Sequence, residues 1–598
     1  MKTVFDTCHP RDEVLSGDLR DEMFAARLKD VVEGQADSIY QDAGRFFRST
    51  YPTEGLRTLA REVLGRLSGR EPANSPFVRL ETSFGGGKSH NLIALYHLAQ
   101  GRSDSVPEGL QIDLSWLPSS PWPTAGVVGS DMDPANGIDH GTVTTRTLWG
   151  EIAYQLGRVS GDPDAAFAIV KKSDEDLVAP GTQVLEKLVG DGPALIMLDE
   201  IARYLRAAKA VQTANKHSDL AEQTVAFLMT LVEFASSQPN VVVVLTLADS
   251  SDAFSRETDD LRQELGEARR VSARQERVIT PTGETEISRI VTHRLFKAIA
   301  PDAGKEIAQE FGNYFTQLES QGVDIPQRAL RSEYAADMAL DYPFHPEFLT
   351  TLNRKTATIP NFQKTRGALR LLARVVRQLW QEKPKDAHLI SVHHLDLSLD
   401  DIVNDLTSRL ERPAFRNVVE ADITSPRKGS EAHAETLDRR WIEAGKPPYA
   451  RRIATNVFLH SLTQGVATGV DPAELLVSVL QPGDDPQHIR KTLSQMLAEE
   501  KGDPGSAFWF LHFDGHRYRF KTEPSLEKVI QDEVPLVGRV KAKGDLDDRI
   551  RTIWRKSTFK PVFFPAEAAE LDDDAKEPKL VVVHYDAATT VPRPAKMV

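Results

Sequence analysis

The chain has 598 residues, enough for three or four domains of ordinary size. Its 73 Lys and Arg against 87 Asp and Glu leave a formal charge of −14, which argues against a protein that coats nucleic acid by bulk charge; any such contact has to be local. A single cysteine, Cys8, excludes an internal disulfide framework and a multi-cysteine zinc site. No apolar run reaches membrane-spanning length and the opening MKTVFDTCHPRDEVL is too charged for a secretion signal, so the expectation is a soluble, cytoplasmic protein without a membrane partner.

Residues 1–75 read as a charged helical segment, with Phe46-Phe47 and Tyr51-Pro52 marking a packed turn before a helix over 56–67. From 76 to 290 strands and helices alternate. Phe77-Val78-Arg79-Leu80 reads as a strand, and Leu92, Leu95, Tyr96 and Ala99 recur at helical spacing until Gly101 stops them. Between the two lies TSFGGGKSH. A phosphate loop asks for Gly, four residues, then Gly-Lys-Ser/Thr; Thr82 holds the first position, while Gly87, Lys88 and Ser89 match. Gly85, Gly86 and Gly87 let the backbone N–H groups turn inward with no Cβ in the way. Residues Gly85, Gly86, Gly87, Lys88, Ser89 and His90 are therefore the expected nucleotide loop, Lys88 facing the β/γ-phosphates and Ser89 a ligand of Mg²⁺. The plainer alternative is a glycine-rich turn that only joins strand to helix.

The alternation continues with a strand over 125–129, a helix over 147–156, a strand over 194–198, a helix over 221–235 and a strand over 241–247, the cadence of a doubly wound parallel sheet. The apolar run ALIML ends in Asp199-Glu200. A carboxylate at the carboxyl end of a parallel strand lies beside the phosphate loop, so Asp199 is expected in the metal shell and Glu200 as the general base that polarises water. Read alone, the same pair is only the acidic start of a helix. Thr246 ends its strand where a polar side chain can sense a γ-phosphate or simply satisfy local backbone. Beyond it stand Arg269, Arg270, Arg274 and Arg277; Arg274 or Arg270 is expected to act as a finger on a neighbouring subunit's nucleotide, against the alternative of a solvated basic face.

After residue 290 strands are expected to cease, and 291–385 reads as a helical lid. Its helix over 365–379 has an apolar stripe of Leu369, Leu372, Ala373 and Val376, with Arg366, Arg370, Arg374 and Arg377 on other faces. Arg366 opens that helix and is expected to reach the γ-phosphate and report hydrolysis as lid motion, Arg370 being second choice. Residues 386–448 read as a helical linker, polar over 424–448. Residues 449–530 carry helices over 453–462, 472–480 and 486–497 and two strands around Asp514-Gly515, the winged-helix order. Arg490, Lys491, Arg517, Arg519 and Lys521 suit phosphate contact and the nearby Asp484, Asp485, Glu499 and Glu500 oppose it, so direct DNA contact stays open. The histidines at 97, 345, 393, 394 and 460 show no metal-ligand spacing. Residues 531–598 read as the start of an incomplete domain, with a strand over 580–585 for which only 561–565 offers a partner.

Strand order, Walker A and Walker B motifs, lid and winged helix resemble an AAA+ ATPase of the origin-recognition-like branch, an α/β fold with a P-loop core. TYPTEGL, RLETSFGGGKSHNLIALYHLA, LWGEIAYQLG, MLDEIARYL, YPFHPEF and FQKTRGALRLLARVV narrow the likeness to the large prokaryotic ATPases called domain of unknown function four-nine-nine, over about residues 15 to 530. These are similar to the ATPases of BREX-type phage-defence systems. The resemblance implies an ATP- and Mg²⁺-dependent oligomeric motor or switch in defence against phage DNA, accompanied by a DNA methyltransferase and a helicase, and places Thr82 in the family's own loop. Relatives implied by it are much longer, so the chain reads as an N-terminal portion. The rival reading is a winged-helix DNA-binding initiator or regulator gated by ATP.

Overall fold

The computed structural model describes residues 1–17, 26–81, 87–102, 105–214, 217–247, 276–283, 286–356, 364–425, 430–463, 468–497, 507–571 and 578–587. Five parallel strands form the main sheet: β1 (Phe77–Glu81), β2 (Thr124–Val128), β3 (Ala194–Asp199), β4 (Val241–Leu247) and β5 (Glu276–Ile279), in the order β2-β3-β4-β1-β5. Every residue of β3 and β4 is buried. That is why both read as unbroken apolar runs rather than alternating ones: a parallel sheet carries helices on both faces.

The two faces are distinct. Leu195 and Met197 of β3 and Val242 and Val244 of β4 pack with helices α1 (Glu54–Leu67) and α2 (Lys88–Ala99). The alternate residues Ile196, Leu198, Val243 and Leu245 pack with α3 (Leu148–Ser160), α4 (Ile201–Ala208) and α5 (Leu220–Ser237). Right-handed crossovers require this split. The chain runs from β1 to the far edge at β2 with α2 on one face, then steps back through β3 and β4 with the other helices opposite. The helix that follows β1 and the helices that lead into its neighbour β4 thus pack on opposite faces, and such a change in winding leaves a crevice at the carboxyl ends of the strands, where ligands bind in such sheets.

One arginine fastens the other end. Arg66, 4% exposed, donates from Nε to the carbonyl of Val241 (3.0 Å), and from its terminal nitrogens to Pro72 (2.7 Å), Asn74 (2.8 Å), Ala235 (3.1 Å) and Gln238. It joins the approach to β1, the start of β4 and the end of α5, so the two strands flanking the crevice are held at a fixed spacing.

A second core joins described residues between Val291 and Phe520, so the segments expected as lid, linker and winged helix pack as one body. Two expectations change here. Strands do not cease at 290, because Phe296–Ile299 pairs antiparallel with Cys8–Pro10. The first residues are likewise not part of a helical lead into the sheet, since Val4, Cys8 and Val14 lie in this second core. A three-residue strand is too short to show its alternation, which explains why the sequence reading passed over it. Within the expected helical linker, the polar stretch 424–448 contains the helix His433–Glu443, whose Asp438 accepts the N–H groups of Ala450 (2.7 Å) and Arg451 (2.9 Å) at the head of the next helix. Few of its side chains are buried, so it looks like a linker.

The expected helices at the far end span Tyr449–Ser461, Pro472–Val479 and Pro486–Leu497. The hairpin pairs Leu511 with Phe520 and Phe513 with Tyr518, and Asp514 Oδ1 holds its turn by accepting the N–H groups of His516 and Arg517. Val470 adds a bridge to Tyr518. Past Phe520 no described residue is buried. There Lys560–Phe563 pairs parallel with Lys579–Val582, so the expected terminal strand has found its one candidate partner and ends at Val582 rather than at 585.

Candidate functional site

Gly87 precedes α2 with φ +83, a value that favours glycine, and a Cβ there would lie 3.3 Å from Thr282 Oγ1. Asn91 Nδ2 donates to the Gly87 carbonyl at 2.9 Å and steadies the turn. The N–H groups of Lys88, Ser89 and His90 open the helix and have no acceptor within it, so the positive end of α2 faces the crevice. Gly85 and Gly86 lie outside the described residues.

Across the crevice Asp199 ends β3, only 3% exposed. Ser89 Oγ donates to its Oδ2 at 2.6 Å, and Thr246 Oγ1 to its Oδ1 at 2.5 Å. Burial pushes the Asp199 carboxyl above its ordinary range, while the two hydroxyls and then Lys88 favour its charge. The register explains the meeting: Leu198 pairs with Leu245, so Asp199 and Thr246 come level at adjacent strand ends. Two hydroxyls, from β4 and from the head of α2, far apart in sequence, thus converge on the carboxylate that ends β3. Thr246 also accepts the N–H of Glu200 at 3.3 Å, so its hydroxyl is engaged with the acid and the local backbone together.

Glu200 caps α4 with φ +52, and its Oε2 stands 3.1 Å from Arg203 Nη1. The sequence reading did not single out Arg203; its signal is the helical i,i+3 spacing from Glu200. Nor did it note the strap beside the loop, where Thr53 Oγ1 donates to the Pro281 carbonyl at 2.7 Å and Thr282 borders Gly87.

The remaining expected residues are spread more widely. His90 turns its ring into the fold, with Nε2 2.9 Å from Thr50 Oγ1 and the ring against Phe46; burial pushes it down to about 3, so it stays neutral, and at this position only the backbone N–H is left to open the helix. Arg269, Arg270 and Arg274 lie outside the described residues, as does the side chain of Arg366, whose helix begins at Lys364. Arg277 on β5 pairs with Glu62 at 3.2 Å. Arg370 and Arg374 both pair with the buried Asp405, and Arg374 also reaches the Asp401 carbonyl, so these two arginines tie the helix Lys364–Glu382 to the helix Asp400–Leu406.

A chemically coherent set remains. A buried carboxylate and a serine hydroxyl in contact are hard oxygen donors, suited to Mg²⁺. Among the described residues no group of three or more His, Cys, Asp or Glu is arranged to hold a metal by itself, so such a cation would take its other ligands from phosphate and water.

Two family models match the chain. The DUF499 N-terminal domain covers residues 4–112 and 126–272, and the DUF499 second domain covers 282–496. The comparison with curated proteins gives no match. The change from one model to the other, between 272 and 282, falls where the sheet ends and the second core begins. The quoted motifs, the sheet with its convergent acid and both family models agree: the chain belongs to the DUF499 family.

Proposed function

We propose that this protein binds and hydrolyses ATP with Mg²⁺, as an AAA+ ATPase with a P-loop core, a helical lid and a winged-helix domain. The observation that carries the reading is the buried Asp199 carboxylate bonded by Ser89 and Thr246 in the crevice beside Lys88 and the positive end of α2. The sheet order supports it, because β4 between β1 and β3 leaves Thr246 between the loop and the acids.

In this reading Ser89 and Asp199 hold Mg²⁺, which would neutralise charge on the β- and γ-phosphates. Lys88 and the α2 N–H groups bind the phosphates, and Glu200 takes the proton of the attacking water. Arg274 from a neighbouring subunit and Arg366 from the lid complete the charge balance, which makes the active form a homo-oligomer. The wider setting, a cytoplasmic motor or switch of a BREX-like antiviral defence system beside a DNA methyltransferase and a helicase, rests on the resemblance alone. No helix among the described residues is long and apolar enough to cross a membrane. The regulator reading draws on one observation, the exposed Arg490 and Lys491 on the third helix of the winged-helix-like unit; it predicts salt-sensitive duplex binding that these two residues control.

The test compares Lys88→Ala with Glu200→Gln. Lys88→Ala abolishes nucleotide binding, whereas Glu200→Gln binds ATP normally and does not turn over, because the glutamate acts chiefly in the transition state. Mixing Glu200→Gln with Arg274→Ala restores part of the activity if the finger acts in trans. Wild-type turnover by Glu200→Gln would sink the assignment.

A further inference from the structure

Two adjacent carboxylates at the end of β3 are held in opposite ways. Asp199 is buried and fixed by two hydroxyls. Glu200 leaves the strand in the left-handed region at φ +52, a conformation a glutamate keeps only where its surroundings impose it, and its side chain is tethered by a cation. Arg203 stands one helical turn along α4, with Nη1 3.1 Å from Glu200 Oε2. The side chains of Arg203 and Glu200 are 51% and 36% exposed, so this pair opens and closes at little cost, unlike the buried bonds of Asp199.

A carboxylate that takes a proton from water must offer a lone pair to that water. The guanidinium donates to Oε2, takes one of its lone pairs and holds the carboxylate in one orientation. We infer that Arg203 is a latch on Glu200: in the resting chain it draws the carboxylate along α4, and turnover waits on release of the pair. Arg203 acts through Glu200, so it is a positioning residue. The inference rests on the reading of Glu200 as the general base.

The experiment uses the full chain with Arg203→Gln, which keeps a long polar side chain on an exposed helix face and loses the charge. Steady-state ATP hydrolysis gives kcat and KM, and binding of a non-hydrolysable ATP analogue gives the affinity. Loss of the latch raises kcat about two- to fivefold, the factor into which an exposed pair of about 0.5–1 kcal/mol converts at 1.36 kcal/mol per decade. Analogue affinity stays the same, and Arg203→Lys, which keeps the charge, brings back most of the restraint. In a Glu200→Gln background Arg203→Gln changes nothing, because its target is gone. An Arg203→Gln chain that is no faster than wild type, while wild type hydrolyses ATP, overturns the latch and leaves the ATPase reading standing. A wild-type chain that neither binds the analogue nor hydrolyses ATP overturns both.

Discussion

Arg66→Met tests whether the crevice depends on the clamp at the opposite end of the sheet. The substitution keeps an unbranched apolar stem of helix-forming character and removes all the donors. Carbonyls of Pro72, Asn74, Ala235, Gln238 and Val241 then lose a charged partner at once. A hydrogen bond from a charged donor contributes about 1.5–3 kcal/mol, so five would sum to about 8–15 kcal/mol if nothing replaced them. Water entering the vacated volume serves some of the carbonyls, and single substitutions rarely exceed about 5 kcal/mol, so the expected loss is about 3–5 kcal/mol. For a body of this size that lowers the transition midpoint by about 6–20 °C. Differential scanning calorimetry of the full chain reads it as a shift of the parallel sheet's transition, with the second core's transition in place. Hydrogen exchange localises it, since amides of β1 and β4 lose protection first. A midpoint within about 2 °C of wild type would mean that water serves these carbonyls equally well and would refute the clamp.

Four further expectations bear on the site and the second core. On the proposed ATPase reading, Thr246→Val removes one of two hydroxyls from buried Asp199 and the acceptor of the Glu200 N–H; at about 1.5–3 kcal/mol this lowers kcat/KM for Mg²⁺-ATP by about 10- to 150-fold with the sheet intact, and a change below twofold in steady-state kinetics would clear Thr246 of a role in turnover. Asp405→Ala leaves Arg370 and Arg374 without their shared carboxylate and costs about 2–4 kcal/mol in the second core by thermal unfolding, whereas equal stability would show the pair to be dispensable. Burial raises Asp438 from 3.8 to about 6, so the folded chain binds its proton more tightly than the unfolded one and stability falls as pH rises from about 4 to 6. Asp438→Asn therefore gains on wild type across that window in urea titrations, and a pH-independent difference would contradict the shift. In the tail, Leu526, Ile530 and Val534 expose an apolar stripe and no described residue is buried, so Lys579–Val582 exchanges its amides fast while β3 and β4 stay protected; slow exchange in a verified monomer would mean the tail docks on its own chain.

Features carried by short-range pattern were open to the sequence. The unbroken apolar runs of β3 and β4, Gly87 before Lys88, the acid pair after an apolar strand and the Asp514-Gly515 turn each depend on a few neighbouring residues, and each stands close to where the pattern puts it. Asp199, Ser89 and Thr246 were legible as candidates for the same reason: residue type and position at an element's end are local properties. Boundaries drawn from composition fared differently. The opening residues, read as part of a helical lead into the sheet, put the strand Cys8–Pro10 into the second core.

Tertiary structure alone decided what those candidates do to one another. No local signal says that β4 lies between β1 and β3, and that order makes Thr246 a donor to Asp199. His90, adjacent to Ser89, bonds Thr50 because one helical position turns a side chain by about 100°. Arg66 has no carboxylate in its pattern to announce it, since its partners are carbonyls from three separate segments. Sequence specifies which groups are present and where each element begins; the pairing of strands far apart in the chain sets the distances between them, and charge, hydrogen bonding and proton transfer depend on those distances.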